Sequence, residues 1–261
     1  MNQAFKCVMC LTKKYNIDES HSLKHSMEVL KFAEDIYGSE VREHPHIKTQ
    51  KNVIVAAAIL HDMCDRKYVT DESVALAEIR EFMTGCLSEA EMNVVIDIIT
   101  TMSYSKVKKH GYPELGEYQL AYHIVREADL LAAYDIDRCT IFAMNVHNLE
   151  YTESFKRART LFDERVLTYR SDGLFVTDYS KRKAGELHSK CVLERVSVEW
   201  TCDCEKVECS GCSDTKFWDG RNSCALLNCT NTRCKNFTCR CNKFACVYCN
   251  QAQVGCDKCS C

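Results

Sequence analysis

NVIVAAAIL, residues 52–60, with His61-Asp62 directly after it, decides the fold that the sequence predicts for this chain. The run is apolar on nearly every face, which predicts a buried helix, although a buried strand would give a similar pattern over this length. The two residues that follow, a histidine and an aspartate, are both common metal ligands. The sequence therefore places candidate ligands next to an element that we expect in the core.

Other segments of the first 190 residues have the spacing of amphipathic helices. In residues 20–37 the apolar positions recur close to every 3.6 residues, and Gly38 is the expected C-terminal stop. Ser88 and Glu91 form a capping-box pattern before a further apolar segment. No alternating apolar run predicts a sheet, so we expect an all-α domain. The remaining helical segments are 117–134 and 153–169.

Composition limits the class of protein. The 261 residues have a net charge of −3 and a pI of about 6.3, so the whole chain shows no bias toward nucleic acid or anionic membranes. Residues 1–20 contain no signal-peptide pattern, and no apolar run approaches the ~20 residues that span a bilayer. We therefore expect an intracellular, cytoplasmic protein without a membrane partner. The two prolines and nine glycines favour long helices.

The cysteines divide the chain into two parts. Six lie in residues 1–191 and fourteen in residues 202–261, whereas all nine histidines lie at or before His188. The boundary falls near residues 190–200. We predict a helical domain over residues 1–195 and a small, irregular, cysteine-rich domain over residues 196–261.

Four residues of the helical part form a candidate metal site: His25, His61, Asp62 and Asp129. Each lies in a stretch that is predicted to be helical, so three helices could direct them to one point. Two nitrogen and two carboxylate ligands suit a divalent ion of the Mn, Fe or Zn group. Around an octahedral ion, four protein ligands leave positions for water and a phosphate oxygen, as in a metal-activated hydrolase.

Each of these residues also has an ordinary structural explanation. His61 could be a core histidine with its hydrogen bonds satisfied, and His25 could be an exposed residue of a helix. Asp129 could form an ion pair with Arg126 or Arg138, because a carboxylate on an apolar helix face needs a partner. Taken singly, these explanations are preferred, whereas the spacing and order of the four residues together favour a metal site.

Three segments resemble the H…HD…D signature of the HD-domain metal-dependent phosphohydrolases, with the best match to small bacterial members of the YpgQ type. A fourth, ITTMSYSK at residues 99–106, is similar to a further segment of that group. The chain differs from the group at Glu28, where a basic residue is frequent, and at residues 130–132. The three signature segments are HSLKHSMEVLKFA (21–33), AAAILHDMCDRKY (56–68) and READLLAAYDIDR (126–138).

The resemblance implies an HD-domain helical bundle with one ion of the Mn, Mg or Fe class. It also implies hydrolysis of a phosphate ester or anhydride, with a nucleotide as the expected substrate. A nucleoside triphosphate pyrophosphohydrolase is one example of such an activity. A phosphodiesterase acting on cyclic or oligonucleotide substrates is one alternative. The other is a catalytically idle HD scaffold whose cysteine-rich tail binds nucleic acid or protein.

Three residues near the candidate ligands are expected to take part in catalysis. Asp65 follows the His-Asp pair without belonging to the ligand set, so it is the candidate to orient a water molecule or transfer a proton. Lys67 and His21 are candidates to neutralise charge on a phosphate.

The tail contains a repeated four-cysteine unit. The spacing CxCx4CxxC occurs twice with a period of 37 residues, and the tail has no histidine, so zinc sites there would be all-thiolate. Disulfide bonds and a metallothionein-like cluster are alternatives, the latter weakened by several aromatic residues in the tail. The candidate zinc ligands are Cys202, Cys204, Cys209, Cys212, Cys239, Cys241, Cys246, Cys249, Cys256 and Cys259.

The repeat leads to a prediction about metal content. We expect elemental analysis of the purified full-length chain to detect zinc, and serine substitution of Cys239 and Cys241 to lower the zinc content, because structural zinc sites need all four thiolates. Thiol titration after denaturation without reductant provides the control. A zinc-free protein whose tail cysteines are oxidised would contradict the zinc assignment and favour disulfides.

Overall fold

The structure is a computed structural model that describes residues 1–199, 206–209, 215–217 and 237–239, with side chains described up to residue 192. The chain divides into two compact units, Met1–His188 and Ser189–Cys261. Within residues 1–192 the secondary structure is helical and contains no strand, which confirms the all-α prediction for this part.

Ten helices form this part of the chain. Short 3₁₀ turns precede or follow several of them, at Glu19–His21, Pro45–Gln50, Gly116–Tyr118 and Val166–Thr168. The helices are α1 (Asn2–Lys14), α2 (Leu23–Glu40), α3 (Lys51–Leu60), α4 (Glu72–Met83), α5 (Glu89–Thr101), α6 (Tyr104–His110), α7 (Gln119–Ala132), α8 (Ile136–Val146), α9 (Tyr151–Glu164) and α10 (Asp178–Glu199).

Helix α3 lies at the centre of the bundle. Every residue from Val53 to Leu60 is buried, and α1, α2, α5 and α7 all pack against this helix. The prediction of a buried helix is confirmed, and the alternative of a buried strand is wrong. A helix that is apolar on all sides is stable in water only when neighbours surround it, so α3 determines where the other helices pack.

The end of helix α2 differs from the prediction, whereas the start of helix α5 agrees with it. Helix α2 continues through Gly38 to Glu40, so the predicted stop at Gly38 is wrong. A glycine inside a helix costs only ~1 kcal/mol, which the packing of α2 against α3 and α7 offsets. At α5 the capping box is confirmed, because Ser88 Oγ accepts from the Glu91 backbone and Glu91 accepts from the Ser88 backbone.

The His61-Asp62 pair lies just outside its predicted helix. Helix α3 ends at Leu60, and His61 is the C-cap residue with φ −55° and ψ −32°. The chain then continues in turns that hydrogen bond Met63 N to Leu60 O and Asp65 N to Asp62 O. Residues near the end of a helix keep helical dihedrals for a short distance, which explains why the sequence pattern did not separate them from α3.

In the second unit, three short strands form an antiparallel sheet of order β2-β1-β3. They are β1 (Lys206–Cys209), β2 (Thr215–Phe217) and β3 (Phe237–Cys239). In the register, Val207 pairs with Cys239 and Cys209 pairs with Phe237. Two candidate zinc ligands, Cys209 and Cys239, are thus on adjacent strands. The others lie outside the described residues: Cys202, Cys204, Cys212, Cys241, Cys246, Cys249, Cys256 and Cys259.

No described helix is both long enough and apolar enough to cross a membrane.

Two of the thiols in the helical bundle are sealed in its interior. Cys7 on α1 and Cys64, in the turns after α3, are 0% and 3% exposed. Burial raises the pKa of each thiol to about 12. Cys10 is exposed, so Cys7 and Cys10 do not present a thiol pair at one surface.

A buried carboxylate attaches residues 174–177 to α7. Glu127 is fully buried and accepts hydrogen bonds from the backbone nitrogens of Val176 (2.7 Å) and Thr177 (3.2 Å) and from Thr177 Oγ1 (2.7 Å). Arg126, also buried, lies 3.6 Å from Glu127 and donates to the Leu174 carbonyl. The buried charge of Glu127 is tolerated because its carboxylate accepts three hydrogen bonds and faces the Arg126 guanidinium.

This network predicts a large effect on stability. We expect Glu127→Ala to lower the free energy of unfolding by about 3 kcal/mol, because it leaves two backbone N–H groups without their acceptor and the buried Arg126 guanidinium without its paired carboxylate. Urea denaturation measures the change. Glu153→Ala is the matched control, since Glu153 pairs with Lys156 at the surface, and it should change stability little. Equal effects of the two substitutions would contradict the role of the network.

Candidate metal centre

Three elements of the bundle converge on one point. His25 lies in the first turn of α2, Asp129 lies near the C-terminal end of α7, and His61-Asp62 follows α3. Helices α2 and α7 pack against each other and both pack against α3, so the packing around the apolar helix brings the three segments together. The site depends on tertiary structure, because its members are separated widely in sequence.

The atoms of this site lie at distances typical of groups that share a cation. His25 Nε2 and His61 Nε2 are 3.1 Å apart, and Asp129 Oδ1 lies 3.4 Å from the first and 3.7 Å from the second. Ligands ~2.1 Å from an ion and at right angles about it would be ~3.0 Å apart. Among the described residues, His25, His61 and Asp129 form a group that could hold a metal ion.

Asp62 adjoins the same point. Its Oδ2 atom lies 3.0 Å from His61 Nε2 and 3.3 Å from His25 Nε2. This oxygen is buried and has no hydrogen bond of good geometry despite these short distances. An oxygen placed in this way is directed to the centre of the group rather than to one donor, which suits a ligand of a shared ion.

The ring of His61 is fixed in one orientation. Its Nδ1 atom is 2.9 Å from the carbonyl oxygen of Ala58, and because a carbonyl only accepts, Nδ1 must donate the hydrogen. In the neutral ring the lone pair is then on Nε2, the atom that faces His25 and Asp129. Orientation of a histidine by a backbone carbonyl is the usual arrangement behind a metal-binding imidazole.

The electrostatics of the site favour a cation. Burial opposes the charged form of His61, but the carboxylates of Asp62 and Asp129 outweigh this effect and raise the pKa of His61 to about 9. Burial likewise opposes ionisation of Asp129, yet His25, His61 and Arg138 hold the pKa of Asp129 below its usual range. The two carboxylates are therefore ionised, and a proton on His61 occupies a place that a metal ion can take.

Arg138 of α8 borders the site. From the sequence, Arg138 was expected only as a possible ion-pair partner of Asp129. Its Nη1 atom lies 3.7 Å from Asp129 Oδ1, its Nη2 atom 4.0 Å from Asp62 Oδ2, and its Nε donates to the Ser20 carbonyl at 2.7 Å. Arg138 therefore forms an ion pair with Asp129, and Asp129 at the same time belongs to the group with His25 and His61. The only sequence signal was its position in the same segment, nine residues after Asp129.

His21 lies beside the site as a buried, neutral ring. Its Nδ1 atom is 2.6 Å from Ser20 Oγ and 3.0 Å from the Tyr68 hydroxyl, and its centroid is 6.1 Å from that of His25. Burial lowers the pKa of His21 to about 3. At neutral pH the His21 ring is therefore uncharged and does not supply the positive charge that the sequence analysis expected of it.

Asp65 and Lys67 are bound to each other. Asp65 Oδ1 accepts from the Lys67 backbone nitrogen at 2.9 Å, and its Oδ2 is 3.2 Å from Lys67 Nζ. The Lys67 ammonium is 5.3 Å from the centre of the Phe142 ring, and the His21 ring is 5.4 Å from the same ring. Lys67 and His21 therefore both lie next to the Phe142 ring. The catalytic role of Asp65 stays a prediction.

Comparison with known proteins shows a shared fold. No family model and no curated protein matches the sequence. The chain is similar to the crystal structure of a Lactobacillus plantarum protein solved as a structural genomics target, with a TM-score of 0.54 and 22% sequence identity. The similarity covers 77% of this chain and 98% of that chain. At this level of identity the comparison supports the helical fold alone.

The raised pKa of His61 predicts that metal affinity depends on pH. Because His61 must release its proton to bind an ion, we expect the affinity for Mn²⁺ to rise about tenfold from pH 7 to pH 8, and to level off above the pKa of about 9. Isothermal titration calorimetry in buffers of different ionisation enthalpy measures both affinity and proton release. In His61→Asn the pH dependence should flatten. An unchanged affinity between pH 7 and pH 8 in the unaltered protein would contradict a raised pKa of His61 in the metal-free site.

Proposed function

We propose that this chain is a metal-dependent phosphohydrolase of the HD type that acts on a nucleotide. The observation that supports the proposal is the convergence of the His25 and His61 Nε2 atoms with the carboxylates of Asp62 and Asp129 within 3.0–3.7 Å. Partial exposure of Asp129, at 24% of its side chain, leaves the group open to solvent on one side. An open site with nitrogen and oxygen ligands is typical of a catalytic ion rather than a structural one.

In this proposal His25, His61, Asp62 and Asp129 hold one divalent ion of the Mn, Mg or Fe class. When bound, such an ion would lower the pKa of a coordinated water and polarise a phosphoryl oxygen. The Ala58 carbonyl keeps His61 in the orientation that directs Nε2 to the ion. The Ser20 carbonyl holds the Arg138 guanidinium beside the two carboxylates, where its charge also faces an incoming phosphate.

The remaining polar residues have separate roles. Asp65 orients the attacking water or receives its proton, which requires at least one of its oxygens to leave Lys67. Lys67, whose side chain is 46% exposed, provides mobile positive charge for a phosphate. His21 contributes a neutral ring and no charge.

Substitution of a ligand tests the proposal. We expect the purified protein with Mn²⁺ to hydrolyse at least one member of a nucleoside mono-, di- and triphosphate panel, and Asp129→Asn to lower kcat/KM at least ~100-fold, because the site loses a charged ligand. Product analysis by ³¹P NMR distinguishes release of phosphate from release of pyrophosphate.

Two further variants make this experiment specific. Glu153→Gln, on the surface of α9, is the control and should keep full activity. Asp65→Asn should bind Mn²⁺ as tightly as the unaltered protein while turning over more slowly, as expected of a proton-transfer residue outside the ligand set. Absence of metal-stimulated hydrolysis across the panel, or full activity in Asp129→Asn, would refute the proposed function.

A further inference from the structure

A chain of hydrogen bonds runs from Asp18 to the imidazole ring of His21. Asp18 is the N-cap residue of the 3₁₀ turn Glu19–His21, and its Oδ1 atom accepts from the backbone nitrogen of Ser20 at 2.8 Å. Its other oxygen, Oδ2, accepts from the Tyr68 hydroxyl at 2.6 Å. The Tyr68 and Ser20 hydroxyl oxygens lie 3.0 and 2.6 Å from Nδ1 of His21. One carboxylate therefore binds both residues whose hydroxyl groups meet this ring nitrogen.

The far end of this chain lies at the border of the candidate metal centre. The Ser20 carbonyl accepts from Arg138 Nε at 2.7 Å, and Arg138 Nη1 lies 3.7 Å from Asp129 Oδ1. The centre of the His21 ring is 6.1 Å from that of the His25 ring. The hydrogen bonds thus begin at a carboxylate outside the site and end on a ring beside it.

The direction of these hydrogen bonds follows from the groups that make them. A carboxylate only accepts, so the single hydrogen of the Tyr68 hydroxyl is donated to Asp18. The Tyr68 oxygen can then only accept from Nδ1 of His21, and this nitrogen must carry the hydrogen, because two facing lone pairs at 3.0 Å would repel. Ser20 fits the same direction: its hydroxyl can accept from His21 Nδ1 and donate to the Tyr68 oxygen, with which it also hydrogen bonds.

The position of this one hydrogen determines what His21 can bind. The residue is 6% exposed, and burial lowers its pKa to about 3, so at pH 7 the ring is neutral and has a single N–H group. With the hydrogen on Nδ1, the Nε2 atom has a lone pair and only accepts. Such a ring accepts a hydrogen bond from water, and it has no N–H group left for a phosphate oxygen.

We propose that Asp18 is a positioning residue of the metal centre, which acts through Tyr68 and Ser20 to hold His21 in the tautomer with its hydrogen on Nδ1. His21 then presents Nε2 as a hydrogen-bond acceptor for a water molecule at the edge of the metal centre. The role toward water rests on the proposed function, whereas the tautomer rests on the hydrogen bonds alone.

Nitrogen NMR of the metal-free, full-length chain at pH 7 tests the tautomer directly. In a neutral histidine, a ring nitrogen that carries hydrogen and one that does not have well-separated ¹⁵N chemical shifts. Loss of signals in His21→Gln identifies those of His21. We expect the Nδ1 signal of a protonated nitrogen and the Nε2 signal of an unprotonated one. The reverse pattern in the unaltered protein would overturn the inference.

Substitution of Asp18 tests its control of the ring. Asp18→Asn keeps an oxygen for the cap but turns an NH₂ donor to the Tyr68 oxygen, so the Tyr68 hydrogen is released toward His21 and the tautomer should shift to Nε2–H. Asp71→Asn is the matched control, because Asp71 caps α4 by the same contact with Ser73 N at 2.9 Å, and it should leave the His21 signals unchanged.

A second variant guards against a folding defect. Tyr68→Phe keeps the aromatic ring but removes the hydroxyl between Asp18 and His21, and it should give a mixture of the two tautomers. Thermal unfolding of each variant verifies the fold. Signals of His21 that stay unchanged in both Asp18→Asn and Tyr68→Phe would show that Asp18 does not position the ring.

Kinetics separate this inference from the proposed function. In the nucleotide hydrolysis assay we expect Asp18→Asn to lower kcat about tenfold and to change KM less than about twofold, because the water loses an acceptor while the metal ligands stay in place. An unchanged kcat despite an altered tautomer would overturn the role of His21 toward water. If no nucleotide is hydrolysed but the NMR signals behave as expected, the proposed function fails and the positioning of His21 by Asp18 is supported.

Discussion

The burial of helix α3 on all sides is the constraint on which the rest of the structure depends. Residues 53–60 expose almost no surface, so α1, α2, α5 and α7 must cover them. The same packing sets α2 and α7 beside the end of α3, where His61 and Asp62 follow. The candidate metal centre is therefore a consequence of core packing, and its geometry has the rigidity of a close-packed interior.

Charge around the centre is arranged in two ways. The carboxylates of Asp62 and Asp129 lie close to two imidazoles and to Arg138. At neutral pH His61 is protonated, and a metal ion can take the place of this proton. Among the residues that the structure describes, Arg165 is oriented by the Tyr104 ring and the Tyr169 hydroxyl and has no paired carboxylate. A cation held without an opposing charge retains more of its attraction for an anionic ligand, because no internal ion pair has to be broken first.

Much of the helical fold could be predicted from the sequence, because apolar periodicity and the Ser88–Glu91 capping box are local signals. The convergence of His25, His61 and Asp129 was also predicted, since each follows or lies in a recognisable helix. The C-terminal ends of α2 and α3 were not predicted correctly, because packing extends α2 past Gly38 and the chain turns after Leu60, before His61. The placement of Arg138 and Arg165 depends on contacts between α8, α9 and distant segments, for which a single sequence has no local signal.

The sealed thiols of the bundle have a practical consequence. Cys64 lies two residues after Asp62 and is 3% exposed, with a pKa of about 12. The thiolate is the reactive form, so alkylating and oxidising reagents can reach it only when this part of the core opens. The rate of modification of Cys64 is therefore an internal measure of local unfolding beside the metal centre, and a ligand that binds there should slow this reaction in proportion to its affinity.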